Sequence, residues 1–98
     1  MNFDDDFMDE EEREEKNRVL NDKRELELLT IRNTMSNESG RAFMWRCLQN
    51  CCTFESIYNE SAARSNFNSG LRSHGLWLDQ ELRTATKDNY YLMLKENR

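Results

Sequence analysis

Ninety-eight residues, 34% charged and 37% apolar with no proline and a formal net charge of −5, leave room for one small domain with a thin core, because a chain of this size buries only about 60–65% of its unfolded surface. No apolar run approaches the roughly 18 residues of a membrane span, and the first residues are acidic where an export signal would be basic and then apolar, so a soluble chain without a standard leader is expected. Cys47, Cys51 and Cys52 are the only cysteines, an odd cluster that excludes a disulfide framework and suits a reducing cytosol.

The charge is unevenly placed. Residues 1–15 hold nine acids against Arg13 alone, whereas the other 83 residues hold thirteen bases and ten acids. A block of one sign at a terminus reads as a solvated arm, so residues 1–8 are expected to form an acidic disordered arm. Residues 9–35 then read as a charged helix from Asp9 to Met35, with acids in its first turns where the helix dipole favours them. Glu12 with Lys16 and Glu14 with Arg18 are spaced to pair along it. Leu28, Ile31 and Met35 give its second half a packing face, with a weaker start at Val19 and Leu20.

Ser36-Asn37-Glu38-Ser39-Gly40 is a run of turn formers ending in a glycine able to take a left-handed conformation, and the domain boundary is expected there. A second helix from about Gly40 to Cys51 is apolar nearly all round through Phe43, Met44, Trp45, Cys47 and Leu48, which places it centrally or at an interface. Thr53 to Asn59 reads as a connection held by Phe54, Ile57 and Tyr58. A third helix, capped by Asn59 or Ser61, runs to about Thr84 with Phe67, Leu71, His74, Leu78 and Leu82 on one face. Thr86 is the expected cap of a last short helix whose apolar side is Tyr90, Tyr91, Met93 and Leu94, too short to stand without packing. With one valine and two isoleucines, no segment shows the alternation of a strand. The fold class is all-α: a compact three-helix C-terminal domain, residues 40–98, preceded by a long charged helix.

Sites for chemistry are scarce. Cys47 and Cys51 lie four apart in an apolar helical run rather than in the turns that carry structural zinc, and they read as small buried hydrophobes. His74, the only imidazole, reads as a partly buried, hydrogen-bonded member of its helix face. There is no phosphate-cradling glycine loop or nucleophile elbow, and the acids of the arm are too exposed to form a tuned pair. Neither an enzyme nor a metal or other cofactor is expected. Gly70 and Gly75 each cost about 1 kcal/mol inside a helix; either another helix, the Trp45 helix foremost, approaches the backbone there, or the third helix bends near Ser73–Gly75. Arg41, Arg46, Arg64, Arg72 and Arg83 supply bidentate donors, but interspersed acids keep the body only weakly basic, so direct nucleic-acid binding is not expected.

The ordered pattern of Gly40, Arg41, Trp45, Leu48, Cys51, Phe54, Phe67, Gly70, Arg72, Gly75 and the Tyr90–Met93 stretch resembles a small uncharacterised domain of short-tailed, podovirus-type bacteriophages over about residues 40–98. The departures are Cys52-Thr53, the short connection after Phe54 and the acidic front segment. The resemblance implies a small accessory protein without a catalytic role, made in the infected host cytoplasm and either virion-associated or active in particle assembly. On this reading the body docks on a phage structural or assembly protein, or on a second copy, through Trp45, Phe54 and the face around Arg41 and Arg72. The alternative is an inhibitor of a host nucleic-acid-handling protein, its acidic arm imitating nucleic-acid charge.

Overall fold

The computed structural model describes residues 9–98, so the acidic arm expected over residues 1–8 lies outside the described residues. Asp9 starts the first helix as its cap, accepting from the Glu12 amide at 2.7 Å, and Glu10, Glu11 and Glu12 occupy the first turn of α1 (Glu10–Met35). Every residue of α1 before Arg24 is exposed. Arg18 pairs with Glu15, one turn back, and not with the expected Glu14; the expected Glu12–Lys16 pair does not form among the described residues.

The chain then turns within two residues into α2 (Glu38–Asn50). Asn37 caps it, its Oδ1 accepting from the Gly40 amide and from the Ser39 hydroxyl, both at 2.8 Å, so the helix begins two residues before the expected Gly40. Gly40 is not left-handed. It is required because α1 ends so close by: a β-carbon there would overlap the Thr34 carbonyl oxygen and stand 2.9 Å from its carbon.

The left-handed residue lies instead at the end of α2. Cys52 has φ 55°, with its amide donating to Gln49 O at 3.0 Å and the Thr53 amide donating to Leu48 O at 3.3 Å. This pair of bonds is the Schellman closure, which satisfies the last carbonyls of a helix and normally places glycine where Cys52 stands. Thr53 adds its hydroxyl, donating to Leu48 O at 2.8 Å.

After the connection, Ser61 caps α3 (Ala62–Ala85) by accepting from the Arg64 amide. α3 runs unbroken through Ser73 and Gly75, so the bend considered there does not occur. Its inner side is Leu71, Gly75, Leu78, Asp79, Leu82 and Ala85, while Phe67 and His74 are exposed. Leu71, Leu78 and Leu82 of the expected stripe lie on this face, but its other buried members include a glycine and an aspartate, which a hydrophobic periodicity does not register. α4 (Lys87–Asn97) follows after Thr86 alone, whose side chain makes no capping bond, contrary to expectation. Packing of Tyr90 and Met93, both fully buried, fixes this helix instead.

The four helices of the described residues meet in one core. Met35, Leu48, Leu82, Tyr90 and Met93 are buried together, and Ile31, Met44, Trp45, Leu78 and Leu94 pack on them. The fold is all-α and no strand occurs among the described residues. The C-terminal half of α1 belongs to the core rather than preceding a finished three-helix domain, because α2 and α4, with 13 and 11 residues, supply few apolar side chains; burying one such as Met35 contributes about 1.5–3 kcal/mol. The N-terminal half of α1 projects. The radius of gyration is accordingly 18.6 Å, against about 13 Å for a compact chain of 100 residues.

Candidate docking cleft

A partly buried polar cluster joins α3 to α4. The Tyr90 hydroxyl donates to Asp79 Oδ1 at 2.6 Å, Arg83 Nε donates to Asp79 Oδ2 at 2.9 Å, and Arg83 Nη2 donates to the Tyr90 hydroxyl at 2.9 Å. The guanidinium carbon also lies 4.4 Å from the centre of the Tyr90 ring, within cation–π range. Burial, and then the hydrogen bond to Asp79, push the Tyr90 hydroxyl up to about 12, so it remains a neutral donor. No buried side-chain nitrogen or oxygen among the described residues lacks a partner.

This cluster forms one wall of a cleft of about 280 Å³ lined by Trp45, Phe54, Arg83, Tyr90, Leu94 and Arg98. Its aromatic side is Trp45 stacked on Phe54, with ring centres 5.5 Å apart and planes 21° from parallel. Trp45 is held by the core at its back, whereas Phe54 stands half exposed on the connection after α2. The Schellman closure positions Phe54, since it reverses the chain immediately before that residue. No acidic side chain among the described residues lines the cleft, and Asp79 behind it is engaged by Tyr90 and Arg83. The result is an aromatic groove with guanidinium groups at its rim, suited to an apolar side chain flanked by carboxylates.

The structure brings together two of the four residues expected at a partner surface. Trp45 and Phe54 share the cleft, but Arg41 is turned inward with 8% of its surface exposed. Its Nε donates to both carboxylate oxygens of Glu96 at 2.9 and 3.1 Å, and its Nη1 to Met35 O at 3.0 Å. Arg41 thus ties α2 to α4 and satisfies a carbonyl at the end of α1, where helix carbonyls lack intrahelical donors. Arg72 is exposed on α3, its Nε donating to Thr53 O at 3.5 Å. The arginines of the cleft are Arg83 and Arg98. The Asp79–Arg83 spacing of four was legible as a helical ion pair; the joining of both to Tyr90 was not.

The two helix-packing glycines separate. At Gly75 a β-carbon would overlap the Thr53 hydroxyl and stand 2.7 Å from Cys51 Cβ, so α3 meets the end of α2 backbone to side chain. At Gly70 nothing lies within 4 Å of that position, and the close approach expected there is absent. His74 is exposed with its ring 5.2 Å from that of Trp77, which corrects its placement in the packed face. Cys47, Cys51 and Cys52 are partly buried free thiols, and no group of three or more histidine, cysteine, aspartate or glutamate side chains among the described residues is placed to hold a metal ion.

A second groove lies between α1 and α3, where Ile31, Trp77 and Leu78 are flanked by Glu27, Thr30 and Glu81. Arg24 closes one end, with Nη1 and Nη2 donating to the two carboxylate oxygens of Glu81 at 2.7 and 3.1 Å. No helix among the described residues is long and apolar enough to cross a membrane. Comparison of the chain with protein-family models, with curated proteins and with solved structures yields no match.

Proposed function

We propose that the chain is a small non-enzymatic bacteriophage accessory protein, virion-associated or acting in particle assembly in the infected host cytoplasm, that works by seating an acidic, apolar segment of a protein partner in the Trp45–Phe54 cleft. The observation that carries this reading is the cleft itself: a stacked aromatic pair, one ring half exposed, beside guanidinium groups and with no acidic side chain among the described residues of its lining. Aromatic and arginine side chains of this kind are the usual anchors of protein contacts. The phage setting follows from the resemblance of residues 40–98.

Quantitative mass spectrometry of purified, nuclease-treated particles tests it, with wild type compared to Phe54→Ala. Recovery at a fixed copy number, lost in the variant, supports docking in the virion. Absence from particles, together with unchanged particle yield when the gene is deleted, rejects the reading.

The exposed acids Asp9 to Glu15 at the free end of α1 favour a second reading, inhibition of a host nucleic-acid-handling protein. It requires salt-sensitive binding that is abolished by neutralising those acids and untouched by Phe54→Ala.

A further inference from the structure

We infer that the cleft of one copy receives residues 1–8 of a second copy; the inference rests on the docking reading above and names a partner for the same cleft. The segment Asn2-Phe3-Asp4-Asp5-Asp6-Phe7-Met8 sets two aromatic side chains around three carboxylates. The cleft offers the complement: Trp45, Phe54 and Leu94 for a ring, and Arg83 and Arg98 for carboxylates. Arg98 makes no ion pair among the described residues, and Arg83 directs only two donors to Asp79 and Tyr90, leaving others of its five.

The covalent tether to the projecting end of α1 works against a chain's own segment as the occupant that places both rings. α1 first loses exposure at Arg24, where it pairs with Glu81 on the body. The fifteen residue steps from Asp9 to Arg24 span roughly 22 Å of helix, so Asp9 lies far out along the projecting end. Phe7 is at most about 7 Å from Asp9, and Phe3 at most about 22 Å at full extension. Phe7 is therefore tethered near that projecting end, and Phe3 can return toward the body only with the segment fully stretched. A neighbouring copy has no such tether. The projecting half of α1 then acts as a boom that carries the acidic, aromatic segment to the next body, and two copies that exchange segments close as a symmetric pair.

Sedimentation velocity on the full chain, over a concentration series into the high micromolar range, tests this. The expected result is reversible association above the 11.8 kDa monomer, weakened by added salt. The double variant Phe3→Ala/Phe7→Ala and the single variant Phe54→Ala should each weaken association by roughly tenfold or more. Mixed in equal amounts, they should form a complex that neither forms alone, because one keeps the cleft and the other the segment. Arg98→Glu, at an exposed side chain, should weaken association likewise, with helix content by circular dichroism unchanged. A wild-type chain that stays monomeric throughout, or a Phe3→Ala/Phe7→Ala chain that associates like wild type, overturns the inference. If either occurs while Phe54→Ala still abolishes incorporation into particles, self-association fails and docking on another phage protein stands.

Discussion

The Tyr90 hydroxyl lies 2.6 Å from Asp79 Oδ1 inside the junction of α3 and α4, and this contact joins the packing of Tyr90 and Met93 in holding α4 where no side chain caps the helix. Removing the hydroxyl with Tyr90→Phe leaves a mostly buried carboxylate with Arg83 as its remaining partner. The expected loss is about 1–3 kcal/mol, read as a lower urea midpoint with an unchanged slope.

The same contact sets an alkaline limit. The Tyr90 hydroxyl is raised to about 12 by burial and by Asp79, so the folded chain holds this proton more tightly than the unfolded one. Its contribution is fully present below about pH 10, the range of a free tyrosine, and is lost as pH rises from there through about 12. A spectrophotometric titration should show one of the three tyrosines ionising late and together with the loss of helix signal; Tyr90→Phe should remove that phase.

Gly75 and Gly70 should respond to alanine with opposite signs. Gly75→Ala drives a methyl group into Thr53, which is itself tied to Leu48 O, and against Cys51; a destabilisation of about 1–3 kcal/mol is expected from overpacking. Gly70→Ala meets open space in the interior of α3 and should stabilise by about 0.5–1 kcal/mol through helix propensity. Thermal midpoints of the two variants, measured side by side, check the contrast.

Cys52→Gly should stabilise the chain by about 0.5–1 kcal/mol. The residue has φ 55° at the left-handed position of the Schellman closure, a conformation that costs an L side chain about 1–2 kcal/mol, part of which glycine gives back through its greater freedom when unfolded. A fall in thermal midpoint for this variant would show that the cysteine side chain contributes packing there.

Arg41→Ala and Arg24→Ala separate a buried pair from an exposed one. The Arg41 and Glu96 side chains are 10% and 20% exposed, and removing the guanidinium strands the Glu96 carboxylate and Met35 O; the expected cost is about 2–4 kcal/mol. The Arg24 side chain is 40% exposed, so its loss should cost far less than that of Arg41. Chemical denaturation of both variants at low and high salt distinguishes them, since only the Arg24 effect should shrink markedly with salt.

The sequence by itself determined the helical class and most helix limits. Missing proline, few β-branched residues and capping side chains at Asp9 and Ser61 act within a turn of where they stand, and local hydrogen bonding is enough to read them. It also placed Trp45 and Phe54 at a shared surface, through aromatic residues that a thin core cannot bury. Tertiary structure alone decided the rest. Arg41 looks like any surface arginine until α4 brings Glu96 to it. Gly75 and Gly70 have the same local cost and differ only in whether the end of α2 lies opposite. The inner face of α3 includes Gly75 and Asp79, whose places depend on Thr53 and Tyr90, residues distant in the chain. In each case the deciding energy is a contact between helices, a clash avoided or a charge satisfied, and such contacts leave no period in the sequence of either helix.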